Sequence, residues 1–377
     1  MFYSVLGGSE GVLGFGFTVW PKNSRIDLMR WPRIGGNPQG CRRQGHDCLA
    51  SPKDFIMSEQ EFIISKLENL KRPEPLLKIE PEKLEEAILA KVLSKKFRKT
   101  RADELTIDIC KKAIRYAVEN KAPVKLNSLF GGNKLWRFDE APEPDWAELF
   151  NLIYSARWMK TISGVYEYGA EFEYYSQDVS VERLNNISRE EADQYSKIFR
   201  ELLLWFERYL PDRVVISYKR QADTYSDMGE YEKEIEEAKS EMLARNKGKL
   251  PELSEAQKLA TELNVRLKPG QDSDPQWREK VELEHQAIFE TKTLAPYLAD
   301  EAMIPTCPTY YEGLIVTGST KYSIAKFWAG VGALQPDGDS YRDLVLTPKQ
   351  LKVADFEWQD MDMSISGKNF SKIRVLR

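Results

Sequence analysis

The segment 121–187 constrains the fold more than any other part of the chain, because its residues follow the order strand, loop, helix, strand. A short β-like stretch at 124–126 leads into a loop with two adjacent glycines, and a helix is predicted to begin at Asp145. A second strand contains Phe172 and Tyr174 and ends in the polar run Ser176-Gln177-Asp178. This order is typical of a βαβ unit, which binds ligands at the carboxyl ends of its strands. We therefore predict an α/β fold, with a Rossmann-like, mostly parallel sheet flanked by helices.

The loop after the first strand contains Gly131-Gly132 and the cations Lys134 and Arg137. It lacks the spacing of a phosphate-binding P-loop and the third glycine of a dinucleotide fingerprint. Two cations beside a flexible backbone could hold a phosphate or a carboxylate. Alternatively, the glycines form a simple turn and the cations pair with Asp139 and Glu140. The helix that follows is predicted to be capped by Asp145, with Glu148 completing a capping box.

The chain divides into regions of different composition. Residues 1–56 are rich in Gly and Arg, and we expect a poorly ordered extension that could be translated from an upstream start. Cys41, His46 and Cys48 lack a fourth ligand, so no metal site is predicted there. Residues 57–120 are predicted to form N-terminal helices packed on the core, and 121–377 an α/β domain with a helical insertion near 220–275. The C-terminal part is predicted to be β-rich, with strands at 313–317, 322–328, 341–346 and 370–376.

Overall charge and hydropathy exclude some classes of function. The net charge is −4 and the sequence pI is about 5.7, whereas nucleic-acid-binding domains usually have an excess of basic residues. The sequence contains no run of 18 apolar residues, so no membrane span is expected. The 4 cysteines are widely scattered and suggest a reducing compartment. We therefore expect a cytoplasmic protein that binds neither nucleic acid nor membrane.

The sequence between roughly 120 and 330 resembles the isocyanide synthases of the pyoverdine/dityrosine biosynthesis family. The order of PVKL, PEPDWAELFNLI, VYEYGAEFEYYSQDV and the helix after Ser188 carries the resemblance, and 304–313 resembles a later proline-containing segment of that family. Ser176 matches the first residue of a Ser-Asp-Gly-Arg loop. The Asp and Arg of that loop fall on Gln177 and Val179, where Asp178 or Arg183 could substitute. No His occupies the place where the later segment would have one.

This resemblance implies a reaction without a cofactor or metal, in which the amine of an amino acid condenses with the carbonyl of a pentulose phosphate. A carbon atom is then delivered to the nitrogen. Such a site needs cations for the phosphate and the carboxylate, for which Lys134, Arg137 and Arg183 are candidates. It also needs a group that moves protons, and the candidates are Asp178, Glu182 and Tyr311. Further candidates for substrate or phosphate binding are Ser176, Lys292 and Thr306.

Two other classes of function fit the same sequence. One is a different transferase on the same scaffold that acts on a phosphorylated or nucleotide substrate, because one fold supports many chemistries. The other is a non-catalytic binding protein in which Trp136, Tyr168 and Trp328 form a partner surface. Each candidate residue could also be an ordinary surface or structural residue. The sequence predicts neither the substrate amine nor the oligomeric state.

Overall fold

The computed structural model describes residues 57–130, 134, 138, 143–250, 252, 275–288, 291, 300–308, 313–318 and 324–377. The predicted extension 1–56 lies outside these ranges, as does most of the second half of the predicted helical insertion. Of the predicted helical insertion near 220–275, the structure describes residues 220–250, 252 and 275. None of the described helices combines the length and the apolar character that crossing a membrane requires.

Helices form the N-terminal part of the described chain. They are α1 (Glu59–Lys71), α2 (Leu84–Val92) and α3 (Glu104–Glu119), with a short 3-10 helix at Pro81–Lys83 before α2. Ser58 and Glu61 form a capping box that satisfies backbone N–H groups at the start of α1, and Asp103 caps α3 by accepting from Thr106 N. The apolar stripe Ile63, Leu67 and Leu70 of α1 is buried in the main core.

A five-stranded parallel sheet lies at the centre of the fold. Its strands have the order β3-β2-β1-β4-β5, and every neighbouring pair is parallel. The elements in chain order are β1 (Val124–Phe130), α4 (Trp146–Ser163), β2 (Ala170–Ser176), α5 (Asp178–Asn185), α6 (Arg189–Phe206), β3 (Val214–Arg220), α7 (Met228–Arg245), α8 (Pro275–Ile288), β4 (Met303–Cys307) and β5 (Ile315–Val316). Short 3-10 helices follow α6 at Glu207–Tyr209 and β3 at Ala222–Thr224. The predicted α/β class is confirmed.

The chain reverses its direction across the sheet between β1 and β4. The first three strands step outward in one direction, from β1 to β2 to β3, and β4 then pairs with the other side of β1. In open parallel sheets such a reversal leaves a crevice at the carboxyl ends of the strands, where ligands bind. The topology therefore places the switch point between β1 and β4, at the same carboxyl edge of the sheet where β2 and β3 also end.

An aromatic cluster fills one face of the sheet just below this edge. Phe130, Tyr174 and Tyr218 come from the three neighbouring strands, and Phe199 of α6 packs 5.0 Å from Tyr218 between ring centroids. Phe327 packs 5.3 Å from Phe130. Trp328 is also buried in this core, 6.3 Å from Phe130, so it does not belong to an exposed partner surface as the sequence suggested. Burial of several large rings gives the edge a rigid apolar foundation.

A second sheet of four strands forms the C-terminal part, in the order β7-β6-β9-β8, and it is mixed. Its elements are β6 (Val331–Asp337), β7 (Ser340–Leu346), the short helix α9 (Pro348–Leu351), β8 (Phe356–Asp360) and β9 (Lys372–Leu376). The strand predicted at 322–328 is wrong, because Ile324–Ala329 forms a 3-10 helix. A second 3-10 helix, Lys368–Phe370, precedes β9.

The second sheet packs against the start of α4. Trp146 Nε1 donates to the carbonyl oxygen of Lys372 at 2.7 Å, and its ring lies 5.4 Å from Phe370 between centroids. Gly332 of β6 approaches closely enough that an added Cβ would lie 2.4 Å from Trp146 Cβ. Only a glycine allows the backbone of β6 to come this near to the helix.

Candidate functional site

The carboxyl ends of β1, β2 and β3 lie side by side. Phe130, Ser176 and Arg220 are aligned in register as the last residues of the three strands. The ladder continues one residue further, because Gln177 N donates to Phe130 O at 2.9 Å and Gln221 N donates to Ser176 O at 2.8 Å. Polar side chains that follow β2 and β3 are thereby placed next to each other at the edge predicted to bind ligands.

Asp178 is the centre of a first group of charges, which we call the rim cluster (Asp178, Arg189 and Arg220). Its carboxylate accepts from Arg220 Nε at 2.7 Å and from Ala222 N at 3.1 Å, and Arg189 Nη1 lies 3.7 Å away. Asp178 begins α5 directly after β2 and is buried, whereas Arg220 ends β3. The rim cluster therefore ties together the ends of two neighbouring strands and the beginning of α6.

A cleft of about 420 Å³ lies beside the rim cluster, between α5, α6 and α7. Its lining combines apolar and charged side chains: Val179, Met228, Tyr231, Arg183, Arg189, Glu232 and Glu236. Arg183 also contacts Glu284 of α8, with Nη2 3.3 Å from Oε2, and Glu236 at 3.5 Å. Of the candidate site residues predicted from the sequence, Arg183 lines this cleft. Two guanidinium groups and two carboxylates give the cleft both signs of charge.

A second group of charges, the inner cluster, contains Lys134, Asp145, Glu148 and Tyr195. Lys134 Nζ donates to Asp145 Oδ1 at 2.9 Å and to Glu148 Oε2 at 2.6 Å. The hydroxyl of Tyr195 on α6 donates to Glu148 Oε1 at 2.8 Å. Asp145 and Glu148 also form the predicted capping box of α4, and Asp145 accepts from Gly332 N of the second sheet at 3.2 Å. All four members of the cluster are at most 5% exposed.

Burial dominates the electrostatics of the inner cluster. Loss of hydration raises the pKa of Glu148 to about 7, an effect that the charge of Lys134 opposes and that of Asp145 reinforces. The same burial, with the adjacent carboxylate of Glu148, raises the pKa of Tyr195 well above its ordinary value. The guanidinium group of Arg374 also lies 3.9 Å from Asp145 Oδ2, so two cations face two carboxylates here, and burial is the main cause of the raised pKa of Glu148. Lys134 thus lies in the interior, where it binds protein carboxylates.

The other predicted residues occupy different surroundings. Ser176 is buried at the end of β2, and its carbonyl forms the ladder to Gln221. Thr306 of β4 is buried, and its hydroxyl donates to Asn127 O at 2.7 Å. Glu182 belongs to α5, but its side chain lies outside the described part of the chain, and so do Arg137, Lys292 and Tyr311. Ser176, Asp178 and Arg183 therefore fall in one region, and Lys134 falls in another cluster.

Some residues of the edge were missed by the sequence analysis. Arg220 stands at the end of β3 and Arg189 at the first position of α6, both beside Asp178. A charged residue at the end of a buried strand was a usable signal for Arg220, since parallel strands place such residues at the ligand-binding edge. Nothing local pointed to Arg189, because a charge in the first turn of a helix is ordinary. Within the described ranges, no three His, Cys, Asp or Glu side chains are grouped to hold a metal ion.

Comparison with solved structures shows a similarity of fold. No family model matches the chain, and no curated protein matches it. The crystal structure of the PvcA protein from Pseudomonas aeruginosa is similar over 77% of this chain and 100% of that chain, with 15% sequence identity and a TM-score of 0.53. Identity this low shows a shared fold. It agrees with the distant resemblance that the sequence suggested.

Proposed function

We propose that this protein is a small-molecule biosynthetic enzyme of the isonitrile synthase type. In the proposed reaction, the amine of an amino acid attacks the carbonyl of a pentulose phosphate, and water is lost to give an imine. Both C–C bonds of the former carbonyl carbon then break, so that this carbon stays on the nitrogen as the isonitrile. One sugar fragment leaves as an aldehyde and the other leaves after taking up a proton. The observation that carries the proposal is the charged cleft at the carboxyl edge of a sheet whose fold is shared with PvcA. No cofactor is part of the proposal.

The charges of the cleft suit a substrate that has charges of both signs. An amino acid presents an ammonium group and a carboxylate, and the cleft offers Glu232 and Glu236 for the first and Arg183 and Arg189 for the second. Guanidinium groups bind carboxylate and phosphate oxygens in a bidentate manner, so the same arginines suit the phosphate of the sugar. The mixed lining therefore supports an amino acid and a sugar phosphate as the pair of substrates.

Asp178 is the carboxylate that fixes the arginines of the edge. It contacts Arg189, which lines the cleft, and Arg220, which lies behind it. A carboxylate held by two cations and one backbone N–H keeps a defined position, as catalysis by orientation requires. In the proposal, Asp178 positions Arg189 at the cleft, and its own role in proton transfer remains a prediction.

The test is to incubate the protein with a pool of amino acids and uniformly ¹³C-labelled ribulose 5-phosphate. The expected product is an amino acid derivative whose nitrogen bears one labelled carbon, detected by mass spectrometry and ¹³C NMR. Arg183→Gln is expected to lower the rate of product formation at least about tenfold, because it removes one of the two guanidinium groups that line the cleft. Arg115→Gln is the matched control, since Arg115 of α3 lies on an exposed surface and pairs with Glu85 at 3.8 Å.

Other outcomes decide between the proposal and its alternatives. Binding of ribulose 5-phosphate without any labelled product, in the presence of every amino acid, would contradict the proposal and favour a transferase that uses another acceptor. Absence of both binding and product would favour a non-catalytic binding protein. Equal loss of activity in Arg183→Gln and Arg115→Gln would remove the cleft from the reaction.

A further inference from the structure

Arg183 has two carboxylate partners, which come from different helices and contact it differently. Arg183 Nε donates to Glu284 Oε1 of α8, and Nη2 donates to Oε2 of the same carboxylate at 3.3 Å. Glu236 of α7 contacts Arg183 through a single longer distance, with Oε1 3.5 Å from Nη2. The nearer partner of Glu236 is Lys239, whose Nζ lies 2.8 Å from the same oxygen. Glu284 is therefore the main partner of Arg183, and Glu236 is a secondary one.

The two carboxylates also differ in their position relative to the cleft. Glu236 lines the cleft together with Arg183, and its side chain is 59% exposed. Glu284 is 15% exposed and, within the part of the chain that the structure describes, lies outside the lining of the cleft. Arg183 therefore lies between the carboxylate of Glu284 and the open space of the cleft, and Glu236 shares that space with it.

The geometry of a guanidinium group leaves donors for a ligand. The group has five N–H donors in one plane, and a carboxylate that spans Nε and Nη2 uses the donors of one edge. The remaining donors belong to Nη1 and Nη2 at another edge of the same plane. Two oxygens of a phosphate or carboxylate group accept parallel hydrogen bonds from such an edge. The contact with Glu284 therefore fixes the plane of Arg183 and leaves an edge on which an oxyanion can bind.

We propose that Glu284 is a positioning residue that holds Arg183 in the orientation in which it binds an oxyanion in the cleft. The ligand group is a phosphate or a carboxylate, because both present the paired oxygens that a guanidinium group recognises. On binding, this group displaces Glu236 from Arg183, and Glu236 keeps Lys239 as its cation. The inference takes the cleft as the substrate site, and in that respect it rests on the proposed function.

The two glutamates are expected to have effects of opposite sign on the binding of an anion. Each carboxylate repels an incoming anion, so loss of its charge alone would tighten binding in both cases. Glu236→Gln is expected to lower the dissociation constant about two- to fivefold, because a competitor for Arg183 loses its charge. Glu284→Gln is expected to raise the dissociation constant about fivefold or more. Its amide turns a donor toward the donors of the guanidinium group, so Arg183 loses its fixed position.

The test measures binding of inorganic phosphate and of acetate by calorimetry to the wild type and to each variant. The predicted changes for phosphate alone would identify a phosphate group as the ligand, and those for acetate alone a carboxylate. Glu237→Gln is the control, because Glu237 of α7 is 43% exposed and pairs with Lys233 at 3.9 Å, so a change within about 1.5-fold is expected. In an Arg183→Gln protein, the further change Glu284→Gln is expected to have no additional effect, since Glu284 acts through Arg183.

Tighter or unchanged binding of both anions in Glu284→Gln would overturn the inference, because it would reduce Glu284 to a negative charge near the cleft. Weakening by the same factor with and without Arg183 would overturn it too, as would failure of the wild type to bind either anion. A thermal melt shows whether each variant is folded. If Glu284→Gln does not fold, Glu284→Asp replaces it, since it keeps the charge but is too short to reach both nitrogens. Unchanged binding in that variant would likewise contradict the inference.

Binding of simple anions separates this inference from the proposed function, because it requires no chemical step. Anion binding that depends on Glu284, without any isonitrile formation by the wild type, would support the inference while the proposed reaction fails. Isonitrile formation with the same kcat and the same KM in Glu284→Gln and wild type would support the reaction while the inference fails.

Discussion

The inner cluster and the rim cluster are built from the same kinds of groups, but they differ in what they face. In the inner cluster, Lys134 meets Asp145 and Glu148 in a place where every side chain is at most 5% exposed. In the rim cluster, Asp178 is equally buried, but Arg189 beside it lines a cleft. Both lie after strands of the same parallel sheet. A position after a strand of this sheet therefore does not by itself place a charged residue at a ligand-binding site.

The groups attached to each cluster explain the difference. The inner cluster joins the start of α4 to α6 through Tyr195 and to the second sheet through Gly332 N. These elements cover the inner cluster, so that none of its four side chains is more than 5% exposed. The rim cluster joins strand ends and the start of α6, and its arginine extends between α5 and α7. We conclude that the inner cluster holds the two sheets together, whereas the rim cluster supports the candidate site.

The largest effect is expected from Lys134→Met. The variant leaves the buried carboxylate of Glu148 without its cation and leaves Asp145 with Arg374 at 3.9 Å, and breaking a buried pair in this way costs about 3–5 kcal/mol of unfolding free energy. Chemical denaturation measures it. Lys125→Met is the control, because Lys125 is 41% exposed and pairs with Glu171 at 3.5 Å, so less than about 1 kcal/mol is expected. Equal losses in the two variants would contradict the difference drawn between buried and exposed pairs.

The inner cluster also predicts how stability depends on pH. Glu148 has an ordinary pKa of 4.5, and burial raises it to about 7 in the folded protein. Between these values Glu148 binds more protons in the folded state than in the unfolded state, so its contribution to stability is present at low pH and is lost as the pH rises to about 7.

Denaturation curves measured at several pH values, with Glu148→Gln as the comparison, check this dependence. The variant cannot ionise, so it is expected to lose the decline between pH 4.5 and 7 that Glu148 causes. A wild type and a variant with parallel stability curves over this range would show that Glu148 keeps an ordinary pKa in the folded protein.

Gly332→Ala tests the contact between the second sheet and the inner cluster. The added methyl group would lie 2.4 Å from Trp146 Cβ and 2.5 Å from Ala147 N, so α4 or β6 must shift. Overpacking against a backbone is expected to cost about 3 kcal/mol. Gly338→Ala in the hairpin between β6 and β7 meets no atom within 4 Å, and its positive φ limits the expected loss to about 1 kcal/mol. A Gly332→Ala protein as stable as Gly338→Ala would show that β6 is not tightly packed against α4 there.

Much of this framework was predictable from local sequence. The capping boxes of Asp145 with Glu148 and of Ser188 with Glu191 are present, since a cap depends on residues three positions apart. The prediction of a strand at 322–328 was wrong, because a short and mainly apolar run such as 324–328 has no periodicity that separates a strand from a helix. In the structure, Phe327 of this 3-10 helix packs against Phe130 and Phe199, which are distant from it in sequence.

The two clusters could be predicted only in part, because their partners come from separate elements. Lys134 was considered a ligand-binding cation, and its carboxylates were identified only as a helix cap. Tyr195 lies 47 residues beyond Glu148, and nothing in the sequence indicates that contact. The edge at Ser176 and Asp178 was predicted because it depends on the βαβ order, a local pattern. The identity of an ion pair depends on how the helices pack, which a single sequence does not specify.

Tyr195→Phe gives a smaller effect within the inner cluster. It removes one hydroxyl that donates to the buried carboxylate of Glu148 at 2.8 Å, and the expected loss is about 1–2 kcal/mol. Tyr341→Phe is the matched control, because the Tyr341 hydroxyl donates to Glu59 at 2.6 Å in a partly buried setting. Its expected loss is below about 1 kcal/mol. The reverse order of the two losses would contradict the view that burial makes the inner cluster the stronger one.

Arg183→Gln is expected to have the smallest effect on stability and to sharpen the contrast most. The Arg183 side chain is 26% exposed, contacts Glu236 at 3.5 Å and pairs through Nε and Nη2 with Glu284, which is 15% exposed, so its removal is expected to cost about 1 kcal/mol. The same change is expected to weaken binding of ribulose 5-phosphate, because a cation of the cleft is lost. A thermal melt and a binding isotherm on one sample check both statements. A large loss of stability with unchanged binding would mean that the rim, like the inner cluster, serves to hold helices together.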